Sequence, residues 1–518
     1  MINVHVQAAD ASFERSLCNI VPLFFEEVKT TFSEEPNGEA DLVIALDYRE
    51  LEAGVRASAA LLASGEAQPI AIANYESPIS SDAPRDDKRK LLKQAASRVL
   101  LDVLQKHTGL VQPWGILTGV RPTKLLHERV RRGIPAAQAR RELQEHYLIS
   151  QEKIELMERI VERQLTAIPD LYRIRDEVSI YIGIPFCPTK CAYCTFPAYD
   201  INGRQGSVNG FLFGLHEEMR AIGEWLKRND VRITTIYYGG GTPTSITAEE
   251  MDAMYSLMYE VFPNVDDVRE ITVEAGRPDT ITPEKLAVMQ KWGVDRISIN
   301  PQSYIQETLE VIGRHHTVEE TIRKFELARE CGMDNINMDL IIGLPNEGLP
   351  EFEHTLSETA NLMPESLTVH TLSFKRASEM TRHRGDQKFK VADRDEITAM
   401  MRRAVEWTDE YGYIPYYLYR QKNILGNLEN VGYAQAGMES LYNILIIEEM
   451  QSIVGLGCGA SSKFVDPATG EITRLANPKE PKAYNDTYKQ YTDAKIEVLE
   501  RLYGAARRTQ NELAPTLA

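Results

Sequence analysis

Three of the six cysteines in this 518-residue chain fall in one short stretch, Cys187-Pro188-Thr189-Lys190-Cys191-Ala192-Tyr193-Cys194, directly after the apolar run Ser179-Ile180-Tyr181-Ile182-Gly183-Ile184-Pro185-Phe186. The C-x3-C-x2-C spacing puts three thiolates on one loop, which suits three irons of a [4Fe–4S] cube and leaves the fourth iron without a protein ligand. Zinc is a poorer match, because it takes four ligands and no fourth Cys or His adjoins the loop. A disulfide framework does not suit so long a chain, and Cys18, Cys331 and Cys458 are scattered and read as apolar filling. An iron left open is a site for chemistry.

From the cysteines onward, short apolar runs alternate with segments long enough for a helix. Strands are expected near 180–182, 234–238, 271–274, 296–300, 337–342 and 366–372, with helices over 210–227, 248–261 and 318–331. Six such units predict an α/β fold, a parallel sheet curled into a partial (β/α)6 barrel with its site at the C-terminal strand ends. Polar residues and glycines fall at those ends. Gly239-Gly240-Gly241-Thr242-Pro243 follows the second strand, where bare backbone can approach a ligand. Glu274 ends the third strand, Gln302 follows the fourth, and Asp339 lies in the fifth ahead of Gly343. Each alone reads equally well as a turn or a cap; together they predict a small-molecule site.

Residues 1–170 read as a separate α/β domain of unknown role, with strands near 4–6, 42–46 and 70–73. A helix over 84–107 is amphipathic, with Leu92, Ala96, Val99, Leu100 and Val103 on one face. In Leu117-Thr118-Gly119-Val120-Arg121-Pro122-Thr123-Lys124 a glycine turn precedes a proline suited to a helix start. The expected reading is a surface helix with solvated basic residues; anion docking at its first amides is the alternative. A charged helix over 151–165 leads to the barrel, expected over 171–376. Residues 377–518 are expected to form a mainly helical cover over the substrate, amphipathic over 395–411. Its Tyr416, Tyr417, Tyr419, Arg420 and Lys422 are either packed core or the lining of a pocket for a flat, acidic molecule.

An apolar fraction of 43% and a charged fraction of 26% are those of a soluble globular protein. No basic start followed by an apolar leader opens the chain and no run is long enough to span a bilayer, so a cytoplasmic location without membrane insertion is expected. With 76 acidic against 58 basic residues and a formal charge of −18, a general affinity for nucleic acid is not expected. An acidic substrate would need a locally basic pocket.

On these residues the sequence resembles the radical S-adenosylmethionine (SAM) superfamily and, within it, the oxygen-independent coproporphyrinogen III oxidase family, nearest to its HemZ-type members, from Asp176 to Lys463. The three cysteines specify only the superfamily. Tyr181, the triple-glycine run, Glu274, Gln302, Arg314, Asp339 and Gly455-Leu456-Gly457 narrow it to the family. The resemblance implies that Cys187, Cys191 and Cys194 bind a [4Fe–4S] cluster whose open iron takes the amino and carboxylate groups of SAM. It implies a first SAM at Tyr181, Gly240 and Glu274. Tyr193, Gly241, Thr242, Gln302, Arg314 and Asp339 match a second SAM site, with the porphyrinogen pocket as the other assignment. Tyr181, Glu274 and Arg314 are the implied catalytic residues.

The implied reaction is an oxidative decarboxylation in haem biosynthesis. An electron from the cluster cleaves SAM to methionine and a 5′-deoxyadenosyl radical, which takes a hydrogen from the β-carbon of a substrate propionate. Loss of CO2 and one further electron leaves a vinyl group, and two rounds turn coproporphyrinogen III into protoporphyrinogen IX. The partners implied are that tetrapyrrole or haem, together with an electron donor and an electron acceptor that the sequence does not name. Arg314, Lys375, Arg376 and Arg420 are the candidates for meeting substrate carboxylates. One position departs from the oxidases, which carry C-x3-C-x2-C-x-C: the last cysteine is Phe196 here, as in haem-chaperone relatives. The alternatives are therefore a haem-delivery protein, with His315, His316, His370 or Cys458 as candidate axial ligands, and an anaerobic haem-degrading methyltransferase.

Overall fold

The computed structural model describes the chain apart from residues 26, 36–37, 120, 202–205, 375–377, 384–385, 422–423 and 505–518. It divides into two compact units, Met1–Arg159 and Ile160–Ala518.

The first unit holds a five-stranded sheet built from β1 (Ile2–Gln7), β2 (Val28–Ser33), β3 (Leu42–Leu51), β4 (Gly54–Ala63) and β5 (Ala71–Pro78), in the order β2-β1-β3-β4-β5. β1 runs parallel to β2 and β3, while β3, β4 and β5 form an antiparallel meander. Alternation along the strands sends Leu42, Ile44 and Leu46, with Val55, Ala57, Ala59 and Leu61, to one face. That face shares a core with Leu92, Ala96, Val99, Leu100 and Val103 of the helix Arg85–Thr108. The helix ends at Gly109, whose φ of 73° supplies the left-handed cap that a side chain would resist. The helix expected after Pro122 runs Thr123–Arg131, and the charged one runs Gln151–Ala167; Val120 lies outside the described residues.

In the second unit β6 (Val178–Ile184) is followed by a short parallel pair, β7 (Phe186–Cys187) and β8 (Tyr199–Asp200). The series continues with β9 (Ile233–Gly240), β10 (Glu270–Val273), β11 (Arg296–Ser298), β12 (Ile336–Ile342) and β13 (Ser366–Thr371), paired in parallel one after another from β6. The helices Val208–Arg228, Ala248–Val261, Pro283–Lys291, Val318–Glu330 and Leu349–Leu362 connect them. One start shows the local logic: Thr247 and Glu250 satisfy each other's backbone amides in a capping box. These are the six expected units of a partial barrel.

The C-terminal segment contributes strands as well as the helix Arg394–Glu410. β14 (Ile414–Tyr419) and β15 (Asn430–Ala434) lie antiparallel beyond β13. At the other edge β16 (Ser452–Gly457) pairs parallel with β6, followed by antiparallel β17 (Ser461–Val465) and β18 (Ile472–Ala476), for an eleven-stranded sheet. Gly457 sits opposite Gly183 at a φ of 85°, and a Cβ there would lie 2.4 Å from the Gly183 carbonyl oxygen. Only glycine lets the two strand ends meet.

A buried polar cluster fixes that end. Glu218, on the helix Val208–Arg228, accepts from the Gly457 N–H at 2.7 Å and the Tyr484 hydroxyl at 2.7 Å, and pairs with Lys495. Lys495, on the helix Pro481–Tyr503, also donates to Asn477 Oδ1 at 2.6 Å, and Asn477 donates to the Gly457 carbonyl at 2.8 Å. Burial pushes the Lys495 pKa down, and the carboxylate beside it opposes that shift. Lys495→Met would leave Glu218 charged, buried and uncompensated, at a cost of about 3–5 kcal/mol. The expected outcome is a lower urea midpoint for unfolding of this unit; an unchanged midpoint would show that the pair is not holding the helix.

Candidate functional site

A cavity of about 410 Å³ opens at the C-terminal ends of the parallel strands, a size suited to a small molecule. Cys187, Cys191 and Cys194 line it, as do Gly240, Gly241 and Thr242, the acids Glu274 and Asp339, and Tyr181, Tyr193, Gln302 and Arg314. The residues expected to bind the cluster and SAM thus border one space.

The cysteine loop is tied to the strand ends through its backbone. Gly241 donates to the Ile184 carbonyl at 2.7 Å and Thr242 to the Phe186 carbonyl at 2.8 Å, which sets β9's exit against the start of the loop. A Cβ on Gly241 would fall 2.6 Å from the Phe186 oxygen and 3.1 Å from Cys187 Sγ; on Gly240, where φ is 110°, it would fall 2.8 Å from the Ile184 oxygen. The glycines are therefore required by packing. Farther along, Ala192 donates to the Ile312 carbonyl at 2.9 Å, and Cys194 donates back to Cys191 at 3.0 Å. Cys187 is buried, with its sulfur 3.3 Å from Thr242 Oγ1. Burial pushes its thiol up to about 11, against the pull of that hydrogen bond.

The two acids differ in state. Glu274 accepts from the Tyr237 hydroxyl at 2.6 Å, and burial raises its carboxyl to about 7, with the Asp339 charge adding to the effect. Partial burial pushes Asp339 up as well, but the hydrogen bond and charge of His370, with hydrogen bonds from Asn337 and Thr368, hold it below the ordinary carboxylate value. Its Oδ1 accepts from Asn337 at 2.8 Å and its Oδ2 lies 3.5 Å from His370 Nε2. The other ring nitrogen of His370 lies 3.2 Å from the Tyr419 hydroxyl. Gln302 holds a left-handed φ of 68° while its backbone bridges Asp339 and Ile341, a strain of the sort found at ligand sites.

Arg314 is buried and donates to the Asn300 carbonyl at 2.6 Å, while its Nε has no hydrogen-bond partner among the described residues. Of the other cations proposed for substrate carboxylates, Arg420 is buried against Asn427 at 2.7 Å and does not line the cavity, and Lys375 and Arg376 lie outside the described residues. Phe196 lines the cavity and is 59% exposed. Below the glycines, Tyr181, Tyr237 and Tyr442 stack, with 4.3 Å between the Tyr237 and Tyr442 ring centroids. Tyr442 is set by Glu270, whose carboxylate accepts from the Leu441 and Tyr442 amides at 2.8 and 3.1 Å and caps their helix.

The radical SAM superfamily pattern matches residues 181–359. The chain is 61% identical over 496 residues to the oxygen-independent coproporphyrinogen-III oxidase-like protein HemZ of Bacillus subtilis, covering 95% of this chain and 97% of that protein. This chain belongs to the radical SAM superfamily, among its HemZ-type members. It is also 30% identical over 338 residues to the haem chaperone HemW of B. subtilis, covering 64% of this chain and 83% of that one. The solved structure of coproporphyrinogen III oxidase HemN from Escherichia coli aligns with a TM-score of 0.49 at 21% identity, over 63% of this chain and 72% of that one.

Radical SAM proteins carry a [4Fe–4S] cluster and SAM, and the donor set here fits that pair. Three thiols share one loop at the cavity wall, the glycine shelf leaves bare backbone beside Cys187, and Arg314 and Arg277 stand near Cys191. Among the described residues no three His, Cys, Asp or Glu side chains converge on a single-ion site. Among them, too, no helix is long and apolar enough to cross a membrane.

Among the residues that the sequence left unnoticed are Arg277, Tyr237, Asn300 and Asn337, all on the cavity wall. Glu274 gives a test of the site's electrostatics in the ligand-free protein. Its folded pKa lies near 7 against an ordinary 4.5, so the folded state binds the extra proton and stability falls as pH rises between those values. Glu274→Gln removes that loss: its melting temperature should gain on the wild type as pH goes from about 5 to about 7.5. A gap that does not change with pH would contradict the raised pKa.

Proposed function

We propose that this chain is an oxidoreductase that decarboxylates two propionates of coproporphyrinogen III to vinyl groups, giving protoporphyrinogen IX. The observation that carries this reading is the single cavity in which three thiols, bare glycine backbone and a half-buried carboxylate meet a wall of tyrosines. When bound, the cluster and SAM supply an electron and a carbon radical able to remove hydrogen from an unactivated carbon.

Cys187, Cys191 and Cys194 hold the cluster. Gly240 accepts the close approach of SAM, Tyr181 flanks it, and Glu274, as a two-oxygen acceptor, takes the ribose hydroxyls. Tyr193, Gly241, Thr242, Gln302, Arg314 and Asp339 serve the remainder of the cavity, for a second SAM or for the substrate. Arg314, with a buried N–H still open, is the cation best suited to a propionate there. The segment 377–518 covers the substrate: Tyr417, Tyr419, Gln421 and Asn430 line the cavity and exclude water and stray hydrogen donors from the reacting carbon. The role of residues 1–170 is left open, and the location proposed is the cytoplasm.

Haem delivery has less support from the candidate axial ligands. Of His315, His316, His370 and Cys458, only His370 lines the cavity, and both its ring nitrogens face partners. Cys458 donates to the Pro478 carbonyl at 3.3 Å, and burial pushes its thiol up to about 12.

Anaerobic incubation with reductant, SAM and coproporphyrinogen III tests the proposal. CO2, 5′-deoxyadenosine and a two-vinyl product are expected. Stoichiometric haem uptake without SAM turnover would instead favour delivery, and a methylated, opened ring would favour degradation. Glu274→Ala should keep its iron but bind SAM roughly 10- to 100-fold more weakly, as the loss of charge-assisted hydrogen bonds predicts. Equal affinity in a binding titration would remove Glu274 from the SAM site.

A further inference from the structure

Arg277 follows Glu274 by three residues, in the loop after β10, and is 3% exposed. A guanidinium so far from water needs partners, and they are unevenly placed. Its Nε and Nη2 each meet an Asp279 carboxylate oxygen at 3.0 Å. Its Nη1 turns to the cysteine loop, donating to Thr189 Oγ1 at 3.0 Å and the Thr189 carbonyl at 3.3 Å, and it lies 4.0 Å from Cys191 Sγ, the outer limit of an N–H···S contact. Thr189 Oγ1 in turn donates to the Gly313 carbonyl at 3.0 Å. Asp279 is 25% exposed at its side chain against 4% for the arginine, so the negative partner is the better hydrated and the positive one faces the sulfur.

We propose that Arg277 is a positioning residue that pins Thr189, and with it the cysteine loop, while holding a positive charge beside the Cys191 sulfur that makes the group bound there easier to reduce. This rests on the cluster assignment above. Adding an electron to a cluster held by thiolates increases its negative charge, and a neighbouring buried cation stabilises that state more than the oxidised one. A clamp alone would need only hydrogen bonds. The charge at the sulfur is what a redox role adds.

The test is a redox titration followed by electron paramagnetic resonance on anaerobically reconstituted full-length protein, without SAM or substrate, alongside iron and sulfide content. Arg277→Gln should retain its cluster yet show about a tenfold lower reduced-to-oxidised ratio at a fixed poise, equivalent to a midpoint about 59 mV more negative for one electron. Arg277→Lys, which keeps the charge, should recover most of the shift, and Asp279→Asn should move the midpoint the other way. An unchanged midpoint in Arg277→Gln at full iron content overturns the proposal. If that variant loses its iron, Asp279→Asn decides: a positive shift supports the proposal and no shift overturns it. Wild-type protein that takes up no cluster overturns the underlying assignment, and this one with it.

Discussion

The cysteine loop rests on backbone from which side chains have been removed. Gly240 and Gly241 let the exit of β9 lie against Ile184, Phe186 and Cys187 at distances no Cβ permits, and Gly457 does the same for β16 against Gly183. Three strand ends thereby close on one another, and the loop after β6 lines the cavity. The parallel sheet supplies the rest: Glu274 and Gln302, just past β10 and β11, and Asp339, within β12, line the same mouth although they are far apart in the chain.

Charge is sorted within that mouth. A chain with a formal charge of −18 keeps two buried arginines, Arg277 and Arg314, close to the cysteine sulfurs. On the other side, Glu274 is held near half-protonation at neutral pH while Asp339, backed by His370, stays ionised. Burial acts on both acids, and the difference comes from the hydrogen bonds each receives and from the charge beside each, Asp339 for Glu274 and His370 for Asp339. Such a cavity favours negative charge at its sulfur end and presents a carboxyl with one proton to spare beside the glycine shelf.

Much of this was legible in the residues. The six parallel strands of the barrel and their helices follow from apolar runs broken by glycine and polar ends; the glycine run, Glu274, Gln302 and Asp339 stand out at those ends, whereas Tyr181, Tyr193 and Arg314 are named only through the family resemblance. Other parts were hidden for physical reasons. β4, with its Ala-Ser-Ala-Ala-Leu-Leu core, has only Val55 of the β-branched and aromatic residues that mark a strand, and it becomes one only between β3 and β5. β16 lies in the segment expected to be a mainly helical cover, because its partner, β6, lies far upstream in the chain and its glycines answer to close packing. Arg277 looks like an ordinary loop cation, and only the fold reveals that Thr189 and Cys191 come to meet it. The one local hint was Asp279 two residues on, which lies in reach to hold both arms of the guanidinium.

The chemistry depends on a cluster corner that the protein leaves for SAM. Electron–nuclear double resonance on the reduced, reconstituted protein, with SAM labelled by 15N at its amino group and 17O at its carboxylate, tests that directly. Couplings from both labels, lost in Cys191→Ala, are predicted. A cluster with four protein ligands and no coupling to either label would contradict the open corner and the radical chemistry built on it.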